Sequence, residues 1–174
     1  MKMNLSRFTT ATIVAGIVAL PVSALAADPS KSATASRPSA KQVARGRYML
    51  TVGSCNDCHT AGFAPREGNV PEKEWLLGSG PLGFNGPWGT TYAPNLRLSL
   101  SKMSESDWVK SAKTLKTRPP MPWFNLSQWS EADLRAFYQY VKSLGRVGEP
   151  AQAYLPPELP PKPPYIQWPA PPKM

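Results

Sequence analysis

The chain has 174 residues, 20 Lys and Arg against 11 Asp and Glu, a net charge of +9 at pH 7, two cysteines and one histidine. That length suits one small domain with tails. Two cysteines and one histidine exclude a zinc site built from two Cys-x-x-Cys pairs or from an added histidine pair.

The first 26 residues read as an export signal. Lys2 and Arg7 give a positive start, Ala11 to Leu20 is an almost unbroken apolar run, and Ala24-Leu25-Ala26 is a small-x-small cleavage site before Ala27. Pro21 and the short run argue against an uncleaved anchor, which needs about 20 apolar residues. Cleavage removes Lys2 and Arg7 and no acidic residue, leaving eighteen basic against eleven acidic side chains, a net charge of +7. The expected product is a soluble protein of the periplasm. A basic protein there suits anionic surfaces or acidic protein partners, and nucleic acid is a poor candidate.

Residues 27–38 are small and polar and read as a flexible leader. Ser39 can cap a first helix with Val43, Gly46, Leu50 and Gly53 along one stripe. Next comes Cys55-Asn56-Asp57-Cys58-His59. This is the spacing that covalent attachment of a c-type haem requires. Two thiols three positions apart can add to the two vinyl groups on one haem edge, and the histidine that follows can offer a ring nitrogen to the iron. A thioredoxin-like pair would sit at the strand-to-helix turn of a βαβ unit, and no parallel-strand runs occur here. A disulfide across two intervening residues would be strained and would leave His59 without a role.

From Thr60 to about Met103 the pattern is weak, and a loop of that length normally counts against an assignment. A large flat cofactor removes the objection, because loops can pack on it. Gly78, Gly80, Gly83, Gly86 and Gly89 allow tight turns, and Leu76, Leu77, Leu82, Phe84, Trp88 and Tyr92 supply an apolar lining. Trp88, Tyr92, Asn95 and Arg118 are candidate haem-pocket contacts. Ser104 and Asp107 cap a second helix with the stripe Trp108, Ala112 and Leu115. Lys110, Lys113 and Lys116 fall within one arc of that helix and are candidate partner-docking residues, against the plainer reading of a solvated face. Ser130 and Asp133 cap the strongest helix, with the stripe Leu134, Phe137, Tyr138, Val141 and Leu144 closed by Gly145. From Gly148 onward ten of 27 residues are proline, so the tail is extended.

The second iron ligand follows by elimination. His59 is the sole histidine, which leaves Met49, Met103, Met121 and Met174 in the mature chain. Met49 lies in the first helix beside the attachment site, and Met174 ends the tail. Met121, in Arg118-Pro119-Pro120-Met121-Pro122-Trp123, is favoured over Met103, because surrounding prolines hold its loop at low entropic cost.

The chain resembles class I cytochromes c on three features: the Cys55–His59 pentapeptide, Met121 in its Pro-rich loop, and Gly46 in the first helix with Phe137/Tyr138 in the last, the resemblance implying that the small residue crosses the aromatic at close range. Gly86 to Leu96, Arg118 to Trp123 and Tyr140 to Gly145 look like a narrower group. These are bacterial mono-haem cytochromes c associated with periplasmic or membrane-bound dehydrogenases of alcohols, sugars or sugar acids. The resemblance covers residues 40–150. Related dehydrogenase subunits often carry three haem motifs where this chain has one, and they continue Thr-Pro where this chain has Arg97-Leu98.

The resemblance implies an all-α class I cytochrome c fold, three to four helices around one haem, with long loops and a Pro-rich C-terminal tail. The expected organisation is a signal peptide at 1–26, a leader at 27–38, a cytochrome c domain at 39–147 and the tail at 148–174. The implied function is single-electron transfer through a haem c ligated by His59 and Met121, between a dehydrogenase donor and a cytochrome or oxidase acceptor. Catalysis by the chain itself is not expected. A free carrier and a bound haem subunit both fit, and a partner subunit can hold the latter at the membrane. The competing class is a haem enzyme or gas-binding haem protein with an open distal site, which has no distal histidine to assist it.

Overall fold

A computed structural model describes residues 39–170. The signal segment (1–26), the leader (27–38) and the last four residues, Met174 included, lie outside the described residues. Three helices form where the sequence places caps. Ser39 accepts the Gln42 N–H and Gln42 answers with its side chain, so a capping box opens α1 (Ala40–Val52). Ser104 and Asp107 form the same box at α4 (Glu105–Thr114). Ser130 accepts the Asp133 N–H at the start of α6 (Glu131–Ser143).

Further elements fall in the weakly patterned regions. A single turn, α2 (Cys55–His59), follows α1. The short helices α3 (Leu96–Ser101) and α5 (Trp123–Leu126) precede α4 and α6. Strands β1 (Gly83–Gly86) and β2 (Gly89–Thr91) pair antiparallel, with Phe84 opposite Thr91. The expectation of an all-α fold with three to four helices is therefore corrected. The described residues are mostly helical, with six α-helices, and add a three-stranded sheet in the order β2-β1-β3, where β3 is Tyr165–Gln167.

The third strand comes from the tail. Strand β3 (Tyr165–Gln167) runs parallel to β1, with Ile166 opposite Phe84. The Trp168 N–H donates to Asn85 O at 2.8 Å, and the Gly83 N–H donates to Pro164 O at 3.0 Å. The tail is extended, as its prolines require, and it lies along its own domain.

The core is built where α1, α4 and α6 meet. Leu50, Leu76, Leu100, Leu134, Phe137 and Val141 are buried, and Trp108 stacks on Phe137 with ring centroids 5.3 Å apart. Helix α1 crosses α6 at Gly46, where an added Cβ would lie 2.1 Å from Ala136 O and 2.6 Å from Tyr140 Cβ. The partners at that crossing are Ala136 and Tyr140, which corrects the expected Phe137/Tyr138. Phe137 faces Trp108 and Trp129, and the Tyr138 hydroxyl donates to Met103 O at 2.9 Å. Helix α6 thus buries two faces, and its apolar stripe marks only one of them.

Candidate functional site

Gly53 ends α1, its N–H returning to Met49 O at 2.9 Å. Ser54 then takes a left-handed conformation, φ 53°, which turns the chain into α2. A non-glycine residue there is uncommon and costs roughly 1 kcal/mol or more, so the surrounding contacts must hold it. Within α2, Cys55 and Cys58 stand at i and i+3 and share one helix face. A buried network fixes the turn. Thr60 Oγ1 donates to Asn56 Oδ1 at 2.7 Å and accepts the Leu76 N–H at 2.8 Å.

His59 is buried, and its Nδ1 lies 2.9 Å from Pro94 O. A carbonyl can only accept, so Nδ1 carries the proton and Nε2 keeps its lone pair. Burial holds the imidazole pKa below its ordinary value, opposed by the Pro94 hydrogen bond, and so favours the neutral ring. Two crossing segments deliver that carbonyl. Gly78 donates to His59 O at 2.8 Å, and the Ser79 N–H donates to Ala93 O at 3.1 Å. A Cβ on Gly78, whose φ is +97°, would lie 2.8 Å from Ala93 O, so only glycine lets the backbones approach this closely.

Burial also raises both thiols, Cys55 to about 12 with Cys58 moved the same way. A working dithiol redox pair needs the opposite, a lowered thiol pKa. Among the described residues no three His, Cys, Asp or Glu side chains converge to hold a metal ion. An apolar cavity of about 260 Å³ opens beside Cys58, bounded by Ala61, Phe63, Leu82 and Ile166 of the tail strand.

The other sequence-derived candidates are distributed unevenly around this site. Trp88 Nε1 and Tyr92 Oη are buried donors without a hydrogen-bond partner among the described residues. Asn95 caps α3 by accepting the Leu98 N–H at 3.1 Å, and its Nδ2 donates to Val147 O at 2.9 Å. Its side chain is therefore engaged in holding the start of the tail. The Arg118 guanidinium lies over the Tyr154 ring, 3.7 Å from its centroid. Met121 and Met103 are both half-buried and pack against the core.

The three lysines part company. Helix α4 ends at Thr114 with Leu115 already extended, which places Lys116 off the helix and corrects the expected three-lysine arc. The Lys113 ammonium donates to Ser127 O at 2.9 Å and also to Trp129 O, so it closes the end of α5. Lys110 and Lys116 are exposed.

Two contributors are invisible to motif reading. The Pro94 carbonyl is a backbone group, and the only hint of it is the Pro94-Asn95-Leu96 element. Arg97 is buried and donates to Gly145 O at 2.6 Å, to Lys73 O at 2.9 Å and to Leu144 O. It closes the C-terminal end of α6, where a cation is favourable, and this gives the Arg97-Leu98 departure a structural role.

No family model matches the chain, and no solved structure matches it. The chain is similar to the cytochrome c subunit of a quinone alcohol dehydrogenase from Gluconobacter oxydans (strain 621H). The two are 30% identical over 125 residues, which covers 62% of this chain and 25% of that protein. The chain thus spans about a quarter of that relative's length.

Proposed function

We propose that this chain is a periplasmic electron-transfer protein that carries one haem c on Cys55 and Cys58, with His59 and Met121 as axial ligands. The observation that carries the reading is the His59–Pro94 hydrogen bond directly after a same-face cysteine pair. It fixes the tautomer and ring orientation that a metal-ligating histidine needs. The residues fit the group in other respects. Two thiols match two vinyl groups, and the two buried donors of Trp88 and Tyr92 match the carboxylate acceptors that a haem brings. The similarity to a cytochrome c subunit supports the same class.

Bound haem supplies reversible one-electron chemistry. The chain's part is to hold the ligands, set the potential and exclude water. The bond from Nδ1–H to Pro94 O raises the basicity of His59 Nε2. A soft thioether from Met121 favours the reduced iron and raises the potential. Burial acts in the same direction. The donor is a dehydrogenase and the acceptor a cytochrome or oxidase, with the chain serving as carrier or as bound subunit.

A spectroelectrochemical titration of the purified protein tests this. One reversible one-electron transition is expected, with a weak long-wavelength iron–thioether absorption in the ferric form. That absorption disappears in Met121→Ala and survives in Met103→Ala. The reverse pattern would overturn the Met121 assignment.

A further inference from the structure

The Pro-rich tail touches the ligand loop as well as the sheet. Leu155 exchanges two backbone hydrogen bonds with Thr90, at 2.7 and 3.0 Å. At that crossing Gly89 has φ +93°, and a Cβ there would lie 2.3 Å from Leu155 O and 3.0 Å from Tyr154 Cε2. The backbone is thus shaped to let the tail pass. The adjacent Tyr154 hydroxyl donates to Trp88 O at 2.7 Å, and its ring receives the Arg118 guanidinium, 3.7 Å from the centroid. Thr91 Oγ1 donates to Pro119 O at 3.0 Å. On the far side of the loop the Trp123 N–H donates to Met121 O at 2.9 Å, leading into α5. Met121 therefore lies between the Arg118–Pro119 anchor and the local turn that leads into α5 at Trp123. That anchor is fastened partly by a tail residue more than thirty positions further along the chain.

We propose that Tyr154 and Arg118 are positioning residues for the Met121 loop, so that the tail acts as an intramolecular brace on the axial-ligand site. The proposal rests on the reading of Met121 as ligand. A thioether binds iron weakly, so its occupancy depends on how readily the loop swings away. A guanidinium stacked on a tyrosine, with that tyrosine hydrogen-bonded to the segment beneath, makes the swing less favourable. The prolines restrict the loop, and the tail fixes where it rests. This gives the conformationally costly extended tail a purpose within its own domain.

The test uses the full-length holoprotein with Tyr154→Ala, Tyr154→Phe, Arg118→Gln and Met121→Ala. The readouts are the ferric iron–thioether absorption, carbon monoxide binding to the reduced protein, and helical content by circular dichroism. Tyr154→Ala is expected to weaken the absorption and speed carbon monoxide binding about tenfold, a factor in keeping with loss of a hydrogen bond and of a cation–π pair between an exposed guanidinium and a half-buried ring. Tyr154→Phe keeps the stack and loses the hydrogen bond, and Arg118→Gln does the reverse, so each gives a smaller shift of the same sign with helical content intact. If Tyr154→Ala unfolds the helices, Arg118→Gln decides by the same criterion. Wild-type absorption and carbon monoxide kinetics in Tyr154→Ala and Arg118→Gln, with the absorption abolished in Met121→Ala, would overturn the brace and leave the ligand reading standing. An absorption that survives Met121→Ala would overturn both.

Discussion

Replacing Gly46 by alanine sets two effects of opposite sign against each other in the middle of α1. Alanine is the better helix former by about 1 kcal/mol, so an exposed position would gain from the change. At this crossing the new methyl would lie 2.1 Å from Ala136 O and 2.6 Å from Tyr140 Cβ. Ordinary contacts begin near 3.4 Å, so α1 would have to move off α6 by more than one ångström. The first obstacle is backbone and cannot turn aside. Overpacking of this kind costs on the order of 3 kcal/mol, which outweighs the propensity gain and leaves a net loss of about 2 kcal/mol. For a domain of this size that corresponds to roughly 6–8 °C in melting temperature. Urea unfolding of the holoprotein, followed by helical circular dichroism at constant m-value, measures it. A Gly46→Ala protein as stable as the parent, or more so, would refute the reasoning and would mean that the helices cross elsewhere.

Tyr92→Phe is expected to destabilise the holoprotein by about 1–2 kcal/mol if a carboxylate accepts its buried hydroxyl, and denaturant midpoints of the two proteins decide it. Asp133 is held below its ordinary pKa by hydrogen bonds from Arg45, at 2.7 Å, and from Ser130. A depressed carboxylate adds stability that is present above its unfolded pKa and lost as pH falls through the folded value. Asp133→Asn should therefore flatten the acid limb of the stability profile below about pH 4 and leave its shape near neutrality unchanged. Reversing the exposed pair, Lys110→Glu with Lys116→Glu, should slow electron transfer to an acidic partner at low salt and lose its effect at high salt. Stopped-flow rates that ignore both charge and ionic strength would make these lysines an ordinary solvated surface.

The helices that the sequence announces are those with a side-chain cap and an apolar stripe. Ser39, Ser104 and Ser130 each stand immediately before a helix that forms. The Cys55–His59 pentapeptide is read from five adjacent residues, and they form one helical turn with both cysteines on one face. What escaped notice depends on distant partners. Strand β3 is three residues long and is specified by a register with β1, about eighty positions earlier. Tyr165, Ile166 and Trp168 mark an apolar extended stretch among the prolines, suited to another protein or to its own domain, and only the register with β1 decides for the latter. Arg97 and Lys113 look like surface charges, yet each closes the end of a helix through backbone carbonyls. The apolar stripe overstates the length of α4, because Leu115 continues it after the backbone has turned out of the helix. Gly46 was correctly singled out as a close-approach residue. Its partners were misjudged because Ala136 and Tyr140 lie on the second buried face of α6.

The most direct test of the account is the mass of one tryptic peptide. Cleavage after Arg47 and Arg66 releases Tyr48–Arg66, which contains Cys55, Cys58 and His59 and no internal Lys or Arg. In the protein purified from its native host, this peptide should carry the mass of one haem bonded through both cysteines. Cys58→Ala should sharply reduce the yield of loaded protein. A Tyr48–Arg66 peptide recovered at its bare polypeptide mass, with both thiols free or joined to each other, would contradict the central claim.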